Sequence, residues 1–486
     1  MYQQGTSAYD GPVGLTQCPI NPGDSYTYTF TANPAGTHWY HSHDKGQYPD
    51  GLRGKMIIHD PSWEKSLNVV QQLYLSMSDW YHTQMPYLIH DYLSPDNTVG
   101  DLPSPDSFLF NDTRTAPTFK FSPGKRYLLR IVNLGALACG EFHIDGHTLS
   151  VVGIDGVHVQ PRNADTILIC AGQRYDVVVT GKLNPLTSFN WVAKMTTDML
   201  THDIPGDDAV TVVGKVLYTL LGAILNTTAN LLSPSWTAQV VLDDMTLKPL
   251  DGQKLLTNPT NKIDLKSNQT YYQGIGTRIK IGQEPWVEPK VPSLYTALST
   301  GSAALNASTY GVGVDPWILK SNEIVQVYME NPQAFPHPMH LHGHEFQVVA
   351  RGTGSWDGNE GALPQVPMKR DVVVIPANGY IVLRFKADNP GVWFFHCHID
   401  LHLTGGMAST FIEAPDVLQK QQFIPAAGTG LCSKDGQCTT GNCACGQGYI
   451  SASDSQSHCN TIFNVKDADY GALTNPPTSR RRAVVF

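Results

Sequence analysis

The chain has 486 residues, with 41% hydrophobic and 15% charged residues and a formal net charge of −9. That charge argues against nucleic acid as a partner, and no apolar run reaches the ~18 residues of a membrane-crossing helix. The length exceeds one core and predicts about two to four domains, while 43 Gly and 33 Pro suit a β-rich protein with many turns.

Pro22 to His43 reads PGDSYTYTFTANPAGTHWYHSH and recurs as Ala377 to His398, ANGYIVLRFKADNPGVWFFHCH, without a gap. Phe30 falls on Phe385, Ala32 on Ala387, Gly36 on Gly391 and Trp39 on Phe394. His41 and His43 fall on His396 and His398, with Ser42 at the place of Cys397. Both copies alternate apolar and polar residues up to a Pro/Gly turn, which predicts a β-hairpin within an antiparallel β-domain. A middle segment, Tyr175 to Met195, has the same flavour without the histidines and reads as a copy without metal. The later copy is preceded by His340-Leu341-His342-Gly343, and the first 40 residues hold no such string. About sixty residues precede Pro61, against ~100 in a typical β-sandwich. The expectation is therefore that the front half of the first domain, with two ligands and any signal peptide, lies upstream of Met1.

Farther along, Phe142-His143-Ile144-Asp145-Gly146-His147 combines histidines with an Asp-Gly pair that also suits a plain turn. The Val210 to Leu225 run is broken by Lys215 and reads as core. Acceptor sequons begin at Asn111, Asn226, Asn268 and Asn306 and favour a secretory route.

The chemistry concentrates near the end. His337-Pro338-Met339-His340-Leu341-His342 has histidine spacings of three and two. In an extended segment His340 and His342 share one face and His337 takes the other. Val392-Trp393-Phe394-Phe395 reads as a strand leading into His396-Cys397-His398, so Cys397 points one way and both histidines the other. His402 and Met407 follow. Thiolate, imidazoles and a weak thioether are the ligand set of a blue copper site. One strand thus serves two metal sites, with the Cys397 backbone as the short path between them. His38 and His344 read as packing or supporting residues, and His143 and His147 as either substrate-flanking or core.

Of nine cysteines, Cys397 goes to metal and Cys18, Cys139 and Cys170 are scattered. Cys432, Cys438, Cys443, Cys445 and Cys459 predict a small disulfide-stapled tail, with metal binding by Cys443 and Cys445 as the rival. Arg480-Arg481-Arg482 reads as a solvated end.

These motifs resemble the multicopper oxidases over about residues 1 to 416, most of all fungal ferroxidases and laccase-like enzymes. Supporting strings are Gln4-Gly5-Thr6, Asp10-Gly11, Thr16-Gln17-Cys18-Pro19-Ile20, Trp39 to His43, Gly46-Gln47-Tyr48, Phe385 to Gly391 and the two histidine-rich segments. The resemblance implies an all-β chain of three cupredoxin-like Greek-key sandwiches: 1–63 (truncated), 64–235 (no copper) and 236–416 (type 1 copper), then a Cys-rich tail, 417–486. It implies four coppers in the full-length protein. His337, Cys397, His402 and axial Met407 would hold type 1. His41, His43, His342, His396 and His398 would hold the type 3 pair, and His340 type 2. The implied reaction couples one-electron oxidation of a donor at type 1, entering through His402 and Cys397, to four-electron reduction of O2 to water. Asp145 would meet the donor, a phenolic or pigment precursor or Fe2+. Yeast-type ferroxidases carry an acid where this chain has Gln333, usually Leu where it has Met407, and a terminal membrane span. These departures weaken the iron reading. A secreted or cell-surface location is implied, with an iron permease as partner of a ferroxidase. The alternatives are a truncated blue-copper electron carrier that does not reduce O2, and a copper nitrite reductase.

Overall fold

The structure, a computed structural model, describes residues 1–185, 187–200, 205–220, 223–224, 241–273 and 275–442. The Asn226 sequon, Cys443, Cys445, Cys459 and the triple arginine lie outside the described residues.

The chain is all-β, built of stacked sheets. Period-2 alternation gives each strand one apolar face, and facing sheets bury those faces against each other. Two six-stranded sheets make the middle of the molecule. One runs Ser107–Phe110, Gln71–Trp80, Arg126–Asn133, Arg174–Thr180, Leu149–Ile154, Val157–Ala164. The other contains Gly140–Ile144 between Thr166–Ile169 and Phe189–Met195. Two five-stranded sheets follow. In the first, Gly379–Lys386 lies between Ile324–Asn331 and Phe346–Thr353. In the second, Gly391–Cys397 lies between Ala408–Glu413 and His337–Leu341, which also pairs with Val372–Ile375. Near the start, Gly36–His41 pairs with Arg53–Ile58. A continuous apolar core runs from Leu75 to Phe411 through both sandwiches.

The expected hairpin is corrected. Gly379–Lys386 and Gly391–Cys397 belong to different sheets, and the Asn389-Pro390-Gly391 turn carries the chain from one layer to the other. Arg174–Thr180 and Phe189–Met195 are likewise split between sheets. Alternation marks a strand with one buried face but does not say which strand lies beside it. In the first copy, residues 24–35 form no strand, and only Gly36–His41 enters a ladder.

A tail cysteine, whose partner the sequence leaves open, reaches the body of the chain. Cys432 pairs with Cys18, tying the helix Ala426–Lys434 to the start of the chain, and Cys139 pairs with Cys170. Cys438 is also disulfide-bonded. Cysteine density in a tail reports an oxidised region, not the partners of each thiol.

Candidate metal centre

The register of the second five-stranded sheet sets the site. Met339 lies opposite Cys397, and His340 opposite His396. Alternation along both strands then sends Cys397 and His337 to one side, and His396, His398, His340 and His342 to the other.

On the first side, Cys397 Sγ lies 3.7 Å from His337 Nδ1 and 3.6 Å from His402 Nδ1. The two Nδ1 atoms are 3.1 Å apart. His402 reaches this point because the helix Asp400–Thr404 begins directly after the strand. Met407 is buried beside it, its N–H donating to the His402 carbonyl and its carbonyl accepting from Cys397 N–H. His337 Nε2 donates to Gln333 Oε1 at 2.5 Å, which leaves Nδ1 as a bare lone pair facing the thiol. Burial pushes the Cys397 thiol up. Burial also pushes the His402 imidazole down to about 3 and, with His402 adjacent, holds His337 well below its usual range. Two neutral imidazoles and a sulfur aim their lone pairs at one buried point, and a soft metal ion satisfies that donor set. Phe335 packs over both imidazoles, with ring centroids 5.2 Å and 5.7 Å away.

On the second side six imidazoles converge. Ring centroids of His340 and His342 are 4.8 Å apart, His41 and His43 5.5 Å, His41 and His398 5.6 Å, and His396 and His398 5.7 Å. His342 Nε2 and His396 Nε2 are 3.2 Å apart. Donor atoms of His43, His342 and His396 all fall within 4.8 Å of one another. Four rings are held at Nδ1: His41 by the Ser42 carbonyl, His396 by the Cys397 carbonyl and His340 by the Asp371 carbonyl, each at 2.8 Å, and His342 by Asp10 Oδ2 at 2.7 Å. Their Nε2 lone pairs are left for the cluster. His43 Nε2 and His398 Nδ1 are buried without a partner. Burial and the mutual repulsion of imidazolium charges push His41 down to about 3 and His398 to about 4, with His43, His340 and His396 well below 6.5. Those five rings favour the neutral form, and orphaned nitrogens lie buried in the cluster, so the residues fit metal ions.

A cavity of about 100 Å3 reaches this cluster past Asp44, Arg278 and Asp400. An open cavity of about 740 Å3 reaches it from the side of Tyr28, Tyr40 and Leu52.

The family follows from what this geometry is shared with. Models described as "Multicopper oxidase" match residues 1–63, 71–214 and 286–417. The "Iron transport multicopper oxidase fetC" of Epichloe festucae is 39% identical over 91% of this chain and 71% of its own length. The chain belongs to the multicopper oxidase family. The "Iron transport multicopper oxidase FET3" of Candida albicans is 37% identical, over 91% of this chain and 71% of its own. Among solved structures, Fet3p, titled "a Multicopper Oxidase that Functions in Iron Import", superposes with a TM-score of 0.86 at 34% identity, covering 93% of this chain and 86% of its own. The laccase of Botrytis aclada superposes at 0.72 with 29% identity, covering 89% and 79%. As a multicopper oxidase, the protein is a copper-dependent oxidoreductase with O2 as electron acceptor, and the family's coppers are type 1, type 2 and a type 3 pair. The electron-carrier alternative is not favoured: a histidine cluster separate from Cys397 would have no purpose there.

Several expected residues sit otherwise. Asp145 heads the turn after Gly140–Ile144, with Oδ1 3.2 Å from His143 Nε2 and its side chain 26% exposed. Its hydrogen bonds run to His143, His147 and Asn190, and not to His337 or His402. His147 bonds Tyr218 Oη at 2.5 Å and the Asp145 carbonyl at 2.8 Å, a satisfied core histidine. His38 is buried against the Pro34 carbonyl, and His344 pairs with Glu413 at 2.7 Å. Sequence reasoning did not single out Asp10, Asp371 or Asp400. Asp400 is buried, its Oδ2 has no partner, and burial together with Asp50, Asp79 and Asp44 pushes its carboxyl up to about 7. Its place two residues after His398 is the signal that could have found it.

Proposed function

We propose that this multicopper oxidase takes single electrons from a phenol-type donor, pigment precursors included, at the edge where Phe335 and Gln333 cover His337 and His402. Copper bound at Cys397, His337, His402 and Met407 supplies one-electron redox chemistry. Copper bound at His41, His43, His342, His396, His398 and His340 supplies reduction of O2 to water. In this assignment the first five of those histidines serve the type 3 pair and His340 serves type 2. We assign the units as 1–63, 64–235 and 236–416, followed by the tail 417–486.

The chain's own residues do the rest. Cys397 is covalently joined to His396 and His398 through one peptide unit on each side, the shortest connection between the two sites. Its N–H, bonded to Met407, and the Ile399 N–H, 3.5 Å from its sulfur, hold that connection rigid. Asp400 keeps a proton at Oδ2 near neutral pH on the wall of the cavity beside His396 and His398. Asp145 stands as acceptor for the donor's hydroxyl proton.

Gln333 carries the substrate reading. A neutral amide, not a carboxylate, bonds the His337 imidazole, and an aromatic ring lies flat over its partner, with 29° between Phe335 and His402. A flat, neutral donor fits that edge better than a divalent ion, which seeks carboxylate oxygens. The second reading, Fe2+, is favoured by the relatives' names as iron transport oxidases and implies an iron permease as membrane partner. Disulfides and exposed sequons at Asn268 and Asn306 support a secreted or cell-surface location. No helix among the described residues is long and apolar enough to cross a membrane. Oxygen uptake with a substituted phenol and with Fe2+ decides: a higher kcat/KM for the phenol supports the proposal, and a higher value for Fe2+ overturns it.

A further inference from the structure

The middle sandwich contributes no imidazole to the cluster, yet one of its turns lies against His398 and reaches His340 through Asp371. The turn runs from Cys170 to Arg174 and is pinned by the Cys139 disulfide, by Gly172 N–H to the Asn133 carbonyl and by Gln173 N–H to the Cys170 carbonyl. Gly172 has φ +80°, and a Cβ there would lie 2.4 Å from His398 Cδ2. The turn therefore forms the wall against which the His398 ring lies.

Arg174 works on His340. Its guanidinium is 3% exposed and makes a two-pronged pair with Asp371, NH1 to Oδ1 at 2.6 Å and NH2 to Oδ2 at 2.8 Å. The same guanidinium donates to the Thr37 carbonyl at 3.1 Å and the Gly172 carbonyl at 3.1 Å, so one side chain touches the first, middle and last units. Asp371 in turn offers its backbone carbonyl to His340 Nδ1 at 2.8 Å and to Leu341 N–H at 3.1 Å. The residues on either side of Asp371 are clamped from the same place. Asp155 accepts from Arg370 Nε at 2.8 Å and Val372 N–H at 3.3 Å, and Gln173 donates to the Val372 carbonyl at 3.2 Å.

We infer that Arg174 is a positioning residue for His340: by fixing Asp371 it aims that residue's carbonyl at Nδ1, selects the Nδ1–H tautomer, and leaves Nε2 facing the space shared with His398. The physical reason lies in the fork. A planar guanidinium bound at two carboxylate oxygens fixes orientation as well as distance, which a single ammonium does not. A carbonyl held that firmly accepts from one ring nitrogen and no other, and the ring's ligand nitrogen is decided before any metal arrives. The middle unit thereby serves the cluster through geometry while holding none of its ligands. The inference rests on the assignment of His340 as a copper ligand.

The test uses the full chain with four variants. Arg174→Gln removes the fork. The pair Arg174→Met with Asp371→Leu removes both charges together and keeps the backbone carbonyl, so a folded protein is available even where a lone buried carboxylate would unfold it. Arg174→Lys keeps the charge without the fork, and His340→Gln removes the ring. Imidazole nitrogen NMR on the copper-free, histidine-labelled protein reads the tautomer, with His340→Gln giving the assignment. Copper competition and electron paramagnetic resonance read the non-blue copper, and the blue absorption reads the Cys397 site. The expected result is one Nδ1–H tautomer in the wild type and a mixture of both in Arg174→Gln and in the double variant. Non-blue copper affinity should fall ~10- to 100-fold in those two, less in Arg174→Lys, with blue absorption unchanged. If His340→Gln leaves the non-blue signal intact, the ligand assignment is wrong and the inference falls with it. If it abolishes that signal while both Arg174 variants keep a single tautomer and full affinity, the assignment stands and the inference alone is overturned.

Discussion

Asp400→Asn should make the protein more stable and less active, and the stability effect should grow with pH. Asp400 sits at the head of the helix Asp400–Thr404, its N–H donating to the Ala136 carbonyl at 2.9 Å, its carboxyl 5% exposed residue-wise and unpartnered at Oδ2. Burial first, then Asp50, Asp79 and Asp44, raise it from 3.8 to about 7. A folded-state value above the unfolded one means that the fold prefers the protonated acid. Stability is therefore intact below the unfolded value near 4 and is lost progressively as pH rises to about 7. At ~1.4 kcal/mol for each factor of ten in proton affinity, the loss above pH 7 is about 4 kcal/mol. At about pH 5.5 only about 2 kcal/mol of it has been incurred. Asparagine has nearly the same shape and never ionises, so the variant escapes the loss. Thermal unfolding of both proteins, copper-free, at about pH 5.5 and 8.5 should show the variant's advantage widening by about 2 kcal/mol. Turnover should move the other way, because the amide cannot release the proton that Asp400 holds beside His396 and His398. The wild-type decline in kcat as pH rises through about 7 should disappear in the variant. An advantage that stays constant across that range would mean that Asp400 is ionised in the fold, and the burial argument would be refuted.

Cys397→Ser should abolish the blue absorption and turnover while leaving unfolding little changed, because one buried sulfur is exchanged for an oxygen of similar shape; loss of the cluster's copper as well would show that the two sites do not form independently. Gly172→Ala puts a Cβ 2.4 Å from His398 Cδ2 at φ +80°, which costs ~1–2 kcal/mol for the backbone and ~1–3 kcal/mol for the overlap; calorimetry should show the loss, and copper counting should show depletion at the cluster with the blue site retained. Gln333→Glu places a carboxylate against His337 Nε2; ~1.4 kcal/mol of attraction on a divalent ion corresponds to a ~10-fold rise in kcat/KM for Fe2+, measured by oxygen uptake, with little gain for a phenol. Cys18→Ser with Cys432→Ser removes a link across a sequence separation of 414 and should lower stability by up to ~6 kcal/mol in the chain-entropy account, read from denaturant unfolding.

Contacts set by strand periodicity were legible, and contacts set by packing between distant segments were not. His396-Cys397-His398 and His340-Leu341-His342 declare their faces because a strand has a period of two, and the structure sends their side chains to the sides that period requires. The repeat revealed that His41 and His43 stand where His396 and His398 do. It did not reveal that its two strands lie in different sheets, because alternation is identical for paired and facing strands. Asp10 meets His342, and Arg174 meets Asp371, only because chain segments hundreds of residues apart are brought together; neither spacing nor composition encodes such a meeting. Cys18 with Cys432 is the same case: the density of tail cysteines points to disulfides without saying that one of them closes on the start of the chain.

The repeat also explains why one copy carries a second site and the other does not. In both copies the inward face keeps two imidazoles, and the cluster is made where those two pairs meet across the interface of first and last units. The residue between each pair faces the opposite way and is free to differ. In the last unit it is Cys397, fully buried and met by His337 and His402. In the first it is Ser42, whose hydroxyl donates to Gln47 Oε1 at 2.7 Å on the exposed side. A thiolate there would face water with no imidazole opposite, where sulfur invites oxidation instead of holding a metal. Strand alternation thus lets one position lose its metal without disturbing its neighbours. The same decoupling predicts that changes at Ser42 will leave the blue site untouched, whereas changes at Cys397 act on the shortest backbone path between the two centres.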